Sequence, residues 1–489
     1  MGFLNVIREI IATPALLVGL ATLIGLLLQK KPLEHVIKGT ATAVIGFVLL
    51  AAGSEFLQKG ALSDFGVLFN YNFHIQGVIP NMEAVTSLGI AQYAAEVSEV
   101  MFFGMIANLV IARYSSLKYI FLTGHHTLYM ACLLIVVLHG SKMTNLEILV
   151  SGTLILGLCM SVFPALAQKE MEKVTGNKKI ALGHFSVIGC MVAARTAAFV
   201  ASRWGSTDGR NSETEKLGES DQIVETRKKI KSTEDIHFSK KLAFMRDSTV
   251  SIFLIMTLIF LFLSGIAASK TDLSQLDISY QYGGYKSWII YSVLQGAQFS
   301  AAIYVILAGV RLIIAEIIPA FKGIAKKVVP HAKPAVDCPV LFSYAPNAVM
   351  IGFLSSFAGG IAAMLFMIAI NAWSGKVLVP VIVPGVVAHF FCGGTAGVFA
   401  NKEGGMKGCL AGTFVHGVLI SALAMIVMPL LGNLNLSGTT FSDSDFCATG
   451  ILIGNLIRAF PENGILSLSV ICFLIPIVRE QFRKRKKKV

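Results

Sequence analysis

Eleven apolar runs, each long enough to cross a bilayer, constrain this chain more than any other feature. They lie at about 10–29, 39–57, 94–114, 118–138, 146–166, 248–268, 287–313, 349–372, 376–400, 408–431 and 463–479. A stretch of roughly 18 or more apolar residues with few charges reads as a transmembrane helix. Inside a bilayer every backbone N–H and C=O needs a partner within the protein, and a helix supplies them all within one segment. Composition agrees: 55% of the 489 residues are hydrophobic, 14% are charged, and mean hydropathy is +0.71. The expectation is an all-α polytopic membrane protein of about eleven transmembrane helices. Segment 181–203 is weaker, because His184, Arg195 and Arg203 interrupt it; it reads as re-entrant or cavity-lining.

Two proline-bearing polar breaks stand in opposite halves of this apolar pattern. One is Gly77-Val78-Ile79-Pro80-Asn81-Met82-Glu83-Ala84; the other runs from Asp337 to Ala348 through Pro339 and Pro346. Irregular backbone is tolerated at membrane depth only where it is buried in protein or lines a cavity. Matching interruptions in two halves point to a transporter's binding site, whereas the bland alternative is two extramembrane turns. A weak echo supports related halves: Ala167-Gln168-Lys169-Glu170 after the fifth run and Ala400-Asn401-Lys402-Glu403 after the ninth. The three-span units at roughly 94–166 and 349–431 run in opposite directions, as in an inverted repeat, and the two breaks read as re-entrant hairpins.

The formal net charge of +13 does not point to nucleic acid, because Lys and Arg gather in short connectors and in the tail Arg483–Lys488. That is the positive-inside pattern, and it puts the N-terminus outside and the C-terminus in the cytoplasm. The tail is also suited to anionic lipid headgroups. The connector around Gly432–Phe446 is poor in Lys and Arg and carries Asp443 and Asp445, so it reads as external. The polar 204–247 segment reads as a cytoplasmic link between halves or as a partner-docking surface. The eight cysteines show no C-x-x-C pair, so they read as small buried hydrophobes. No nucleotide loop, cofactor fingerprint or metal cluster is evident, and no cofactor or metal is expected.

Ionisable groups inside apolar segments are costly and therefore candidates for function. Glu83 lies in the first break, Asp337 opens the second, His125 and His126 begin the fourth run, and His184 begins the weak segment. Asn81, Ser343, Tyr344 and Asn347 add neutral donors and acceptors at the two breaks. Such groups suit a hydroxylated solute in a mostly apolar cleft. Each also has a plainer reading: a membrane histidine often bonds only to a neighbouring helix, and Asp337 follows a basic run that offers a surface ion pair. His389 and His416 are further candidates, and Glu96 and Glu99 read as solvated.

The stretches Ile120–His125, Gly77–Ala84, Ala335–Val349 and Gly394–Asn401 resemble the membrane subunit, component IIC, of ascorbate-type phosphotransferase systems, a group that includes galactitol permeases. The resemblance covers nearly the whole chain. It implies a sugar permease in a bacterial inner membrane, a homodimer with a V-shaped scaffold, and a core that carries L-ascorbate or a related sugar acid or alditol by an elevator-like movement. It also implies phosphorylation by a separate phosphorylated IIB protein, so the chain is not itself a phosphate carrier and no catalytic residue is expected. His125, His184 and Asp337 would line the solute pocket, with hairpin tips at Pro80–Glu83 and Ala345–Asn347. In that pattern a glutamine stands four residues after the first histidine and another directly after the second; here these are Tyr129 and Phe185. Losing two amides changes the pocket's hydrogen-bond inventory.

The expected organisation is scaffold at 1–57 and 248–320, core repeats at 58–203 and 321–431, the connector at 204–247, and a last helix with its basic tail at 432–489. The competing class is an ion-coupled secondary transporter of a small polar solute, using Glu83 and Asp337 as cation sites. A third class is a membrane receptor signalling through the 204–247 segment.

Overall fold

Long helices carry most of the chain, and six very short strands knit them together. The computed structural model describes residues 15–16, 19, 22–23, 26–27, 30–74, 77–204, 231–235, 244, 247–432, 438–460 and 462–486. Most of the first apolar run and most of the 204–247 connector lie outside the described residues. α1 (Leu33–Leu57) passes through a π-helical segment (Gln58–Leu62) into α2 (Ser63–Phe73). Next come β1 (Gly77–Pro80), α3 (Met82–Tyr114), β2 (Tyr119–Phe121), α4 (Gly124–Leu138), α5 (Asn145–Thr175), β3 (Ala181–Leu182) and α6 (Val187–Trp204). α7 (Ser248–Ala268), the short α8 (Ser279–Tyr282) and α9 (Trp288–Val328) follow. Then come β4 (Lys333–Val336), α10 (Pro339–Phe342), α11 (Pro346–Ser374), β5 (Val381–Ile382), α12 (Val386–Ala388), a π-helical turn (His389–Gly393), α13 (Gly394–Val427), β6 (Thr439–Thr440), α14 (Ser444–Ala459) and α15 (Glu462–Lys486). Among the described residues, eight helical stretches are long and apolar enough to cross a membrane, and the protein is a multi-pass membrane protein.

Two of the expected runs take a different form. The run at 118–138 splits into β2 and a 15-residue helix, and the run at 376–400 splits into β5 and the start of the α12–α13 stretch. Strand and helix residues here are equally apolar, so hydropathy alone does not separate them. The Ala181–Arg203 segment likewise becomes β3 followed by α6, with Arg195 and Arg203 on its exposed side.

The strands interlock the two halves. One parallel sheet has the order β5–β1–β6 and the other β2–β4–β3, so each central strand comes from the half opposite to its neighbours. Sheets of this kind need cover on both faces, and every residue of β1, β2, β3, β5 and β6 is buried. In both halves the order is strand, long helix, strand, two helices, strand, helix. The fourth and fifth members are α4 and α5 in the first half. In the second they are the two arms of the α12–α13 stretch, which doubles back at Gly405. Residues twelve apart on a straight helix are separated by about 18 Å, yet Cys409 Sγ lies 3.6 Å from the Gly397 carbonyl oxygen. Gly405 has φ 58°, a left-handed backbone that favours glycine, and it makes this tip.

One asparagine in each long helix fastens the following strand. Asn108 of α3 donates to Tyr119 O at 3.1 Å and accepts from Phe121 N–H at 3.2 Å. Asn371 of α11 donates to Val379 O at 2.8 Å and accepts from Leu378 and Val379 N–H at 2.8 and 3.1 Å. Glycines bring α11 and α13 into close contact: a Cβ at Gly397 would meet Ala348 O at 2.3 Å. α9 packs along α1 and α7. Asp64 of α2 accepts from Ser279 N–H at 3.0 Å, from the Ser279 hydroxyl and from Tyr291 OH at 2.9 Å, which ties α2 to α8 and α9.

Candidate solute-binding cavity

The interlocked strands bring six chain segments to one place. After each strand the chain turns into a helix, and residues from all six junctions line a single cavity of about 260 Å³. Met82 and Glu83 follow β1, His125 and His126 follow β2, and His184 follows β3. Asp337 and Pro339 follow β4, Val387 and Ala388 follow β5, and Ser442 and Asp443 follow β6. Tyr129 adds its ring from the next turn of α4, Phe391 comes from the π-helical turn, and Leu307 and Arg311 of α9 complete the wall. The volume lies just under the roughly 300–1,000 Å³ usual for drug-sized ligands, so the space suits a small solute. The N-terminal turns of α3, α4, α6 and α14 all lie at these junctions. Their partial positive charge favours anions, as does Arg311, and it offsets the carboxylates of Glu83, Asp337 and Asp443.

Asp337 is the centre of the polar wall. His125 Nε2 stands 3.5 Å from one of its oxygens and His184 Nε2 4.0 Å from the other, while the Cys338 N–H donates to it at 2.8 Å. Asp337 is 34% exposed along its side chain, which leaves it open to the cavity. His184 is buried, and its Nδ1 pairs with Ser186 Oγ at 2.9 Å. The His126 ring lies against that of His184, with centroids 3.8 Å apart and the planes tilted by 49°. Its Nδ1 accepts from the Phe185 N–H at 3.1 Å, so in the neutral ring Nε2 carries the proton and is a donor.

Two buried polar atoms in this wall, Glu83 Oε2 and the Tyr129 hydroxyl, have no hydrogen-bond partner among the described residues. Buried polar atoms are normally paired, so a hydroxylated solute would complete both. The histidines and acids also lie close enough to be weighed as metal ligands, for instance His126, His184 and Asp443. A metal-ligating histidine nitrogen must be unprotonated. The Phe185 N–H already takes Nδ1 of His126 and leaves the proton on Nε2, so this set does not fit a metal ion.

Of the residues singled out from the sequence, Glu83, His125, His184 and Asp337 meet in this cavity. Three others lie elsewhere. Asn81 caps α3, its Oδ1 accepting from Ala84 N–H at 2.7 Å. Asn347 binds the connector residues Thr233 and Glu234. Tyr344 is 46% exposed and outside the cavity wall. His389 and His416 are buried away from the cavity and share Ser356 Oγ at 2.8 and 2.9 Å. The acidic pair of the Gly432–Phe446 connector, not among the residues singled out for the site, is buried in the protein: Asp443 lines the cavity, and Asp445 is fully buried. The Ser442-Asp443-Ser444-Asp445 run just before a helix is a capping signature that marks both.

A family model described as "PTS system sugar-specific permease component" (EIIC-GAT) matches residues 9–445. The "Ascorbate-specific PTS system EIIC component" of Mycoplasma pneumoniae is 27% identical over 435 residues, which cover 81% of this chain and 62% of that protein. The chain thus spans less than two thirds of the length of this curated relative.

Proposed function

This chain belongs to the EIIC-GAT family of PTS sugar-specific permease components, and we propose that it carries L-ascorbate or a related sugar acid or alditol across the bacterial inner membrane. The observation that carries this reading is the cavity at the six strand–helix junctions, where His125, His184, Glu83 and Tyr129 surround Asp337. Carboxylates and imidazoles there can hold the hydroxyls of a small polyol. Arg311 and the helix N-termini favour the negative charge of a sugar acid. The Mycoplasma pneumoniae relative, named for ascorbate, supports that solute.

On this reading the two strand–helix successions are an inverted repeat, with re-entrant hairpins at β1–α3 and β4–α11. Together they form the core that moves, elevator-like, against the scaffold of α1, α7 and α9. The core repeats fall at 58–203 and from 321 through α14, the scaffold at 1–57 and 248–320, and α15 with its basic tail comes last. A separate phosphorylated IIB protein supplies the phosphoryl group, two chains form a homodimer, and the C-terminal basic tail faces the cytoplasm against anionic lipid. Grouping of Lys and Arg in the connectors supports that orientation.

The test is uptake of radiolabelled ascorbate into cells expressing the chain with and without its IIB partner, with identification of the internal product. Phosphorylated ascorbate that depends on IIB is the expected result. Accumulation of unmodified ascorbate without IIB overturns it in favour of an ion-coupled transporter.

A further inference from the structure

Residues Lys231–Asp235 belong to the polar connector, yet Thr233 is fully buried. Helix ends left without partners explain why. α11 begins at Pro346 behind Ala345, whose backbone is non-helical and whose side chain cannot cap. The first N–H groups of a helix need outside acceptors. The Glu234 carboxylate provides them, accepting from Asn347 N–H at 3.3 Å and Ala348 N–H at 2.9 Å. Asn347 Nδ2 in turn donates to Thr233 O at 3.2 Å. The same five residues grip the Gly405 tip: Met406 N–H donates to Lys231 O at 2.9 Å, and Thr233 N–H donates to Asn401 Oδ1 at 2.9 Å. One short strap thus joins the start of α11 to the tip of the α12–α13 hairpin.

We propose that Glu234 is a positioning residue for the solute site. Between β4, which ends at Val336, and α11 lie Asp337 and the single turn α10. β4 pairing fixes the upstream end of this break, and the strap fixes the downstream end. Cys338 and Leu341, both fully buried, hold one side of the break, while Val340 and Tyr344 face outward. Releasing the downstream end lets the break shift, and Asp337 with it, away from His125 and His184. The proposal rests on the solute-site reading of the cavity, and it makes the connector part of the transport core instead of a passive link.

The test compares wild type with Glu234→Ala, Glu234→Gln and Glu234→Asp in the full-length chain reconstituted in phospholipid vesicles. Hydrogen exchange is read across 338–350, and uptake of radiolabelled ascorbate is measured with IIB. For Glu234→Ala we expect faster exchange at Asn347 and Ala348 and also through 338–343. The half-saturating ascorbate concentration should rise roughly tenfold, the scale of a lost charged cap, with the maximal rate changed little. Glu234→Asp should recover most of both effects, and Glu234→Gln part of them. Faster exchange confined to 347–348 with an unchanged half-saturating concentration overturns the proposal and leaves Glu234 a helix cap alone; so does no change in exchange at all. Where wild type takes up no ascorbate the solute reading fails, and the exchange pattern through 338–343 still decides the positioning role.

Discussion

Asp445, in the first turn of α14, accepts the Val187 N–H of α6 at 2.8 Å, so a carboxylate from the second half caps the last helix of the first. Its other oxygen accepts from Ile188 N–H at 2.7 Å, and Ser444 Oγ accepts from Gly189 N–H at 2.9 Å. The Asp445 N–H donates back to Phe185 O at 3.2 Å. The two helices therefore meet N-terminus to N-terminus directly behind the cavity. Asp445→Ala orphans two buried N–H groups, and the expected loss is about 2–4 kcal/mol. Asp445→Asn keeps one acceptor and should lose less. Thermal unfolding of the purified protein tests this; an unchanged midpoint for the alanine variant refutes the interlock as a source of stability.

Asp337 makes a different demand. It faces two imidazoles across the cavity and is partly exposed, so its loss should spare the fold. Asp337→Asn preserves shape but removes the charge and one acceptor. Ascorbate uptake should fall to background, with expression and thermal midpoint near wild type. Uptake at the wild-type level in this variant removes Asp337 from the solute site.

The two breaks were legible because proline and polar residues interrupt an apolar background, and Glu83, Asp337, His125 and His184 stand out there by the cost of their burial. The strands were not legible: β3, β5 and β6 are two residues long, too short to show an alternating pattern, and β6 is simply Thr439–Thr440. Blending of apolar strand into apolar helix made 118–138 and 376–400 look like single spans. The burial of Asp443 and Asp445 is not legible from charge counting, because the backbone groups that Asp445 meets come from a distant part of the chain. Asn347 fits a polar solute as well as it fits Thr233 and Glu234, and only the packed connector decides between them.

The paired asparagines give a prediction about symmetry. Asn371 serves three backbone groups at the turn into β5, and Asn108 serves two at β2 while its Nδ2 also reaches Ser161 Oγ at 2.8 Å. Asn108→Ala leaves buried backbone groups unpaired, at about 1–3 kcal/mol each before relaxation, whereas the groups Asn371 serves are only partly buried and their loss costs less. Both Asn108→Ala and Asn371→Ala should lower the thermal midpoint. Because β5 borders β1 and β2 borders β4, each should also raise hydrogen exchange in the strand of the opposite half. Exchange that rises only within the mutated half argues against the strands as the coupling element.

Tyr129 and Phe185 stand where the ascorbate-type pattern that this chain resembles is expected to carry glutamines, and the fold separates their roles. Tyr129 lines the cavity with an unpaired hydroxyl. Phe185 is fully buried behind the wall, stacked on Phe121 at 4.6 Å and edge-on to Phe446 at 5.3 Å; it touches the wall at His126, through its backbone N–H and a tilted ring contact at 6.0 Å. Phe185→Gln would bury an amide among aromatic rings and discard their packing, a loss on the order of 3 kcal/mol. It should lower stability while leaving the order of preference among ascorbate, alditols and other sugar acids unchanged. Tyr129→Gln trades a phenol for an amide at the solute, so the preference order changes; its lost ring packing lowers the thermal midpoint as well, so the preference order is the readout that separates the two variants. Competition of unlabelled solutes against radiolabelled ascorbate, run beside thermal unfolding for both variants, measures the split. A change of preference in Phe185→Gln, with none in Tyr129→Gln, would place the selective contact on the wrong side of the cavity wall.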